Sequence, residues 1–279
     1  MIELKPTLYL DKGALGAFDL NSLSDYFQIC YSEATLFDLL NDRTDLGEGE
    51  LRTLNDIRAL YYYRDSDRIL STEANAIDLM RKIEPLELEI MASAYRFVNG
   101  GGAQSLFDVL HNQLSALLNA DKDNAGTTQL IVESLVSDQT LQPLKYQKSE
   151  QWHIELQRAT KCWSQKQDFT LRSIFDQHPD LYLELKYYFP DKVPRPEQVQ
   201  LAAMLLGVLQ MGSDKGILST NDDKSRKAAV NGYVDCLHVM FGLHCQYFLT
   251  TDKATLRRFR LLNDYWQLER KCALVSAQA

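Results

Sequence analysis

The chain has 279 residues, with 38 Asp plus Glu against 30 Lys plus Arg and a formal net charge of −8. Its 45% apolar and 24% charged content is that of a globular protein of one large or two small domains, and 13 Gly with 7 Pro exclude a collagen-like or disordered chain. The longest apolar run, Leu201 to Leu209, is well short of the roughly 20 residues of a membrane helix, and the acidic balance confines any nucleic-acid contact to a local basic patch.

The first predicted element is a short apolar strand, Thr7 to Leu10, that stops on Asp11. Glu3 and Asp11 around this run argue against a signal peptide. Gly13 and Gly16 loosen the following turn, and a second β-like run, Tyr26 to Tyr31, leads into Ser32-Glu33. Ala34, Leu36, Phe37, Leu39 and Leu40 then form a helical apolar stripe, with Ser32 as its N-cap and Glu33 in its first turn.

Residues 50–210 are expected to be mostly helical. Leu51, Leu54, Ile57 and Leu60 recur at near-helical steps, and further helices are predicted over 73–82, 86–98, 105–118, 152–163, 172–189 and 197–211. Gly100-Gly101-Gly102 and residues 119–127 break the pattern, and the tyrosines at 61–63 and 187–188 are expected to pack helices. Near the C-terminus Asp235 is expected to open an amphipathic helix. Phe248-Leu249-Thr250 follows as a strand ending at Thr251-Asp252, and a basic helix comes after it. Strand-like runs near both ends with helices between give an α/β class whose sheet is assembled from distant parts of the chain.

Five cysteines, an odd number with no CxxC pair, indicate reduced thiols of a cytoplasmic protein that fill the core. Cys236, His238, His244 and Cys245 crowd one predicted helix, a poor start for a tetrahedral zinc cage. The glycine run at 100–102 lacks the GK[ST] ending of a P-loop, and no GxSxG occurs.

The acids carry the chemistry. Asp11 and Asp252 each follow an apolar strand-like run, where ligands of open parallel sheets bind, while Glu33 and Asp235 lie near helix starts. An acid in a first turn also simply complements the helix dipole. Taken together, four carboxylates at one site would repel unless a cation joined them, and hard oxygen ligands suit Mg²⁺ or Mn²⁺. Such a site hydrolyses a phosphodiester through an activated water.

These segments resemble the PIN-domain nucleases. Leu8 to Leu15 (LYLDKGAL) is similar to the family's opening strand and acid. Tyr31 to Leu40 (YSEATLFDLL) is similar to its second strand and acid-bearing helix, and Asp235 to Lys253 (DCLHVMFGLHCQYFLTTDK) to its C-terminal signature. The three motifs cover 37 residues. It implies a doubly wound α/β/α fold with a parallel sheet and a carboxylate Mg²⁺ or Mn²⁺ site. It also implies endonuclease activity on single strands, most often RNA. Carried over, Asp11, Glu33, Asp235 and Asp252 would be metal ligands or water-orienting acids, with Thr250 or Thr251 as the supporting hydroxyl; Asp38, five residues beyond Glu33 and off its face, is the weaker candidate for the second acid.

The gap between Glu33 and Asp235 is far longer than in compact members. The nuclease domain is therefore expected in two pieces, 1–46 and 216–279, with a helical insertion over 47–215 packed beside it. That insertion is expected to bind an inhibitory partner, restrain the nuclease or mediate self-association. Stand-alone members often serve as toxins or phage-defence effectors, which gives the expected setting. Residues 253–271 carry six basic against two acidic residues. Lys253, Arg257, Arg258 and Arg260 are the candidate phosphate-binding face, extended by Lys224, Arg226 and Lys227, and the bland alternative is a solvated helix. Tyr265 and Trp266 are expected in packing rather than base stacking. Two other readings stay open: a nuclease of single-stranded or flap DNA, and a non-catalytic PIN-like scaffold.

Overall fold

The computed structural model of the protein describes residues 5–42, 46–100, 170–208 save 178, 180, 181, 184, 185, 187 and 193, and 223–275. The elements expected over 105–118, 119–127 and 152–163 lie outside them.

The two terminal segments build the centre of the sheet. β1 (Thr7–Leu10), β2 (Gln28–Ser32) and β5 (Tyr247–Thr250) fall where the sequence places strands. β1 lies between the other two, parallel to both, pairing Tyr9 with Cys30 on one side and with Phe248 on the other. β6 (Lys271–Leu274) extends this sheet in parallel beyond β5. At the other edge stand β3 (Leu60–Asp65), parallel to β2, and β4 (Arg68–Glu73), antiparallel to β3. The order is β4-β3-β2-β1-β5-β6. This is an α/β fold with a six-stranded, mostly parallel mixed sheet that spans both chain ends.

Residues 60–73 correct the helical expectation for this region. Tyr62 is buried with the core group of Tyr9 and Cys30, whereas Tyr61 and Tyr63 stack on one another with ring centroids 6.1 Å apart. That alternation is the period of a strand, and aromatic side chains favour a pleated, half-buried surface. The helix that precedes it, α4, is Leu46–Asp56.

Side chains alternate across the sheet into two cores. Leu8, Leu10, Ile29 and Tyr31 pack with Leu51, Leu54 and Ala76. These come with α1 (Lys12–Leu15), α2 (Leu20–Ser24), α4 and α5 (Ala76–Met80). Tyr9, Cys30 and Phe248 face the larger core. It draws residues from α3 (Glu33–Asp42), α6 (Pro85–Gly100), α7 (Leu171–Gln177), α8 (Pro196–Val208), α9 (Asp223–Gly242) and α10 (Lys253–Trp266). Helices α6 and α8 thus share the core of the sheet instead of packing as a separate insertion beside it. Of the helix expected over 172–189, α7 is the described first part, and residues 178, 180, 181, 184, 185 and 187 lie outside the described residues. Cys30, Cys236 and Cys245 are buried in this core as free thiols. Among the described residues no helix is long and apolar enough to cross a membrane.

Topology sets the place for a ligand. From β1 the chain builds outward through β2 and β3, then returns to the far side of β1 as β5. The β1/β5 boundary is a topological switch point, where the loops leaving the strands' carboxyl ends diverge and open a crevice.

Candidate active site: an acid cluster at the switch point

Asp11 and Asp252 leave the two strands that flank this boundary. Asp11 still donates its backbone N–H to the Leu249 carbonyl at 3.2 Å, so it remains in step with β5. One carboxylate oxygen caps α1 by accepting from the Ala14 N–H at 2.7 Å, and the other accepts the Thr250 hydroxyl. The Thr250 Oγ1 in turn accepts the Asp252 N–H at 2.9 Å. Asp252 caps α10 by accepting from the Thr255 N–H. One hydroxyl therefore ties the two strand ends together. The loops approach closely here because Gly13 has no side chain: a Cβ there would collide with the Thr251 hydroxyl. Asp11 is only 6% exposed, and burial raises its pKa against the opposing effects of His238, Thr250 and the Ala14 N–H.

Two helices deliver the remaining acids. Asp235 projects from the middle of α9, not from its start as expected. The polar run from Asp223 is the helix's first turn, which moves the N-terminus well upstream. Its Oδ2 lies 3.6 Å from Arg258 Nη1 on α10. Burial pushes the Asp235 carboxyl up to about 7; Arg258 opposes the shift, and the charges of Asp252 and Asp38 add to it. Asp38, on α3, reaches His238 of α9, with 2.8 Å between Oδ2 and Nε2. The His238 Nδ1 is 2.9 Å from the Tyr9 hydroxyl, which is 2.6 Å from Ser32 Oγ. Burial alone would lower the His238 pKa, but the hydrogen bond and charge of Asp38, with Asp11 and Asp235, outweigh it and raise it. With both ring nitrogens protonated, His238 donates to Asp38 and to Tyr9.

The electrostatic group is thus Asp11, Asp38, Asp235 and Asp252, with His238 and Arg258 as its cations. Asp38 takes the place expected for Glu33. Glu33 starts α3 at the end of β2 and is buried among other groups. Burial raises its pKa, Arg64 opposes this and Glu87 adds to it; none of the four clustered acids acts on it appreciably. The five residues from 33 to 38 carry the chain to another part of the helix surface, so only one of these acids meets α9 beside His238. Of the two threonines, Thr250 donates its hydroxyl to Asp11, while Thr251 packs over Gly13.

Arg258 is also corrected. It is 2% exposed and cannot belong to a solvent-facing phosphate site. Adjacent residues on a helix lie about 100° apart, so Arg257 and Arg258 diverge. Lys253, Arg257 and Arg260 line an open groove of about 460 Å³, with Leu256, Leu261 and Leu274 as its apolar parts and Asp264 among its lining. Lys227 is exposed on α9, while the side chains of Lys224 and Arg226 lie outside the described residues. Tyr265 and Trp266 are buried, donating to the Phe189 and Pro190 carbonyls at 2.8 and 3.0 Å.

The donor chemistry of the cluster suits a hard divalent cation: four aspartates and a threonine hydroxyl, all oxygen. The side chains of Asp235 and Asp38 remain 31% and 20% exposed, giving the cluster a wet edge beside the buried Asp11. The acids are nonetheless held by partners of their own, and among the described residues no three His, Cys, Asp or Glu side chains form a ready metal cage. Closure on an ion requires the carboxylates to turn from these partners toward one another.

No family model, curated protein or solved structure matches the chain.

Proposed function

We propose that the protein is a divalent-metal-dependent phosphodiesterase, a PIN-like endonuclease that cuts single-stranded nucleic acid, with RNA as the substrate. The observation that carries this reading is the joining of Asp11 and Asp252 through one threonine hydroxyl at the β1/β5 switch point, with Asp38 and Asp235 brought into their field by α3 and α9. The choice of RNA, and the setting of a toxin or phage-defence effector, rest on the resemblance of the three motifs.

Asp11, Asp38, Asp235 and Asp252 would hold the ion. When bound, a Mg²⁺ or Mn²⁺ lowers the pKa of its water and offsets charge on the leaving oxygen. The chain's own groups do the rest. Thr250 orients the Asp11 carboxylate and fixes the backbone of Asp252. His238 orients Asp38 from within the core. Helix α10 begins at Asp252, so Lys253, Arg257 and Arg260 form a basic face that leads away from the acids, where a strand's phosphates can be held. The groove's leucines offer bases an apolar floor.

The test is cleavage of single-stranded RNA and DNA of the same sequence by wild type and by Asp252→Asn, in Mn²⁺ and in EDTA. Mn²⁺-dependent RNA cleavage by wild type alone is expected. Cleavage of DNA only would change the substrate. Equal activity of the variant, or none by wild type on either polymer, would leave the non-catalytic scaffold as the better reading.

A further inference from the structure

The basic residue that the charge count assigns to the phosphate face heads the largest fully buried side chains among the described residues. Arg258 lies on the inner side of α10, among Thr255, Leu256, Phe259 and Leu262, all of them buried. Its Nη2 donates to the Tyr95 hydroxyl at 3.4 Å. Its Nη1 faces Asp235 at 3.6 Å, and neither Nη1 nor Nε makes a hydrogen bond. The pairing with Asp235 is therefore an attraction of charges without the fork of a bidentate arginine–carboxylate contact. A buried guanidinium is costly unless negative charge lies close by. Here the acid cluster supplies it: both Asp235 and Asp252 act on Arg258.

The guanidinium is also held in place. Tyr95 of α6 rests against Gly232 of α9, where an added Cβ would run into the tyrosine ring. Gly232 precedes Asp235 by three residues, close to one turn. Helices α6, α9 and α10 thus converge on one cation, and the cation faces the acid cluster.

We propose that Arg258 is the internal counter-ion of the acid cluster: it positions Asp235 and competes with a divalent cation for it. This rests on reading the cluster as a cation site. Arg258 is a positioning residue, since it does not reach the surface where a substrate would lie.

The experiment is Mn²⁺ binding by the whole apo protein at pH 8.5, followed by calorimetry and by loss of the free-Mn²⁺ electron spin resonance signal. Wild type is expected to bind one Mn²⁺ per chain. Arg258→Met, which removes the competing charge, should bind Mn²⁺ about tenfold more tightly or better. Arg258→Lys, which keeps the charge, should stay within about twofold of wild type. Should the Met variant not fold, Arg258→Gln carries the same expectation and keeps a donor for Tyr95. Equal or weaker binding by the neutral variant overturns the inference and leaves the proposed function standing. Folding of the Lys variant while neither neutral variant folds would also overturn it, assigning Arg258 a structural role. Absence of Mn²⁺ binding by wild type and neutral variants alike would remove the metal site, and the proposed function with it.

Discussion

The carboxyl end of the sheet holds two polar regions, and they differ in balance. At β1/β5, four aspartates meet His238 and Arg258, and the Asp235 carboxyl is pushed up to about 7. At β2/β3, Glu33 feels both Arg64 and Glu87, and the Arg64 guanidinium donates to the Gln200 side chain at 3.3 Å. Glu87 also caps its own helix by accepting the Glu84 N–H at 3.1 Å. Both regions contain a buried acid with a raised pKa. Raised acidity alone therefore does not separate a candidate site from a structural cluster. The distinction is the larger surplus of acids: four stand against two cationic groups at β1/β5 and two against one at β2/β3, and the larger lies at the one place where the strand order reverses.

Cleavage tests this difference most strongly. Asp11→Asn and Asp252→Asn are each expected to lower single-strand cleavage by at least about a hundredfold, beyond the cost of losing a ligand's supporting contact. Glu33→Gln is expected to stay within about threefold of wild type, in keeping with its place outside the switch point. Initial rates under saturating Mn²⁺ decide it. A Glu33 variant as inactive as the Asp252 variant would merge the two regions into one site.

The second contrast is between the acid cluster and the basic groove beside it. Replacing Lys253, Arg257 and Arg260 together by Gln should weaken binding of a single-stranded oligonucleotide. It should also flatten the plot of log affinity against log salt by about 2, since three phosphate contacts on a single strand contribute about −0.7 each. Anisotropy titrations in EDTA read this without cleavage. An unchanged slope would mean that α10 does not touch phosphate. Arg258, being buried, has no place in this variant.

Part of this arrangement is legible in the sequence alone. An apolar run closed by an acid marks both β1 with Asp11 and β5 with Asp252, because local pattern and position coincide there. Asp38 cannot be found that way: its partner, His238, is 200 residues away, and only the packing of α3 on α9 joins them. Arg258 does carry a signal. It is three residues from Thr255 and four from Leu262, both buried, so it belongs to the apolar stripe of α10. A charge count along the sequence hides this. The hairpin at 60–73 is masked by a three-residue spacing of leucines that ends as the strand begins, although three consecutive tyrosines favour a strand.

The surplus also predicts how stability should follow pH. Asp11, Asp235 and Glu33 have pKa values raised in the folded state. The folded chain then holds more protons than the unfolded chain between the ordinary carboxylate range and about 7. Unfolding free energy consequently falls as pH rises through that interval. His238, also raised, contributes stability that is present below its unfolded pKa and lost as pH rises through the folded one, so it adds to the same slope. Thermal unfolding of the apo protein should move down by at least about 2–4 °C per kcal/mol lost between pH 5 and 7.5. Mn²⁺ should recover the loss at pH 7.5, where the carboxylates are free to bind it, and do little at pH 5. A midpoint that rises over this range without metal would contradict the surplus.

The smallest effect is expected at β2/β3, and it shows whether the two ends are electrically separate. Arg64 is exposed, so its attraction for Glu33 is screened and Arg64→Met should cost no more than about 1 kcal/mol. Part of that cost is the lost contact with Gln200. Helix α9 nevertheless crosses both regions: the half-buried Tyr233 responds to Arg64 and Glu33, and Asp235, two residues on, belongs to the cluster. If α9 passes strain or charge along its length, the Arg64 variant will alter Mn²⁺ affinity as well as the unfolding midpoint. If the surplus is local to the switch point, the midpoint will shift slightly and Mn²⁺ affinity will stay within about twofold, because a charge beyond a Debye length of about 10 Å is screened at the surface. Titrating Mn²⁺ into Arg64→Met beside Arg258→Met separates the two: one cation neutralises a structural acid, the other competes with a metal.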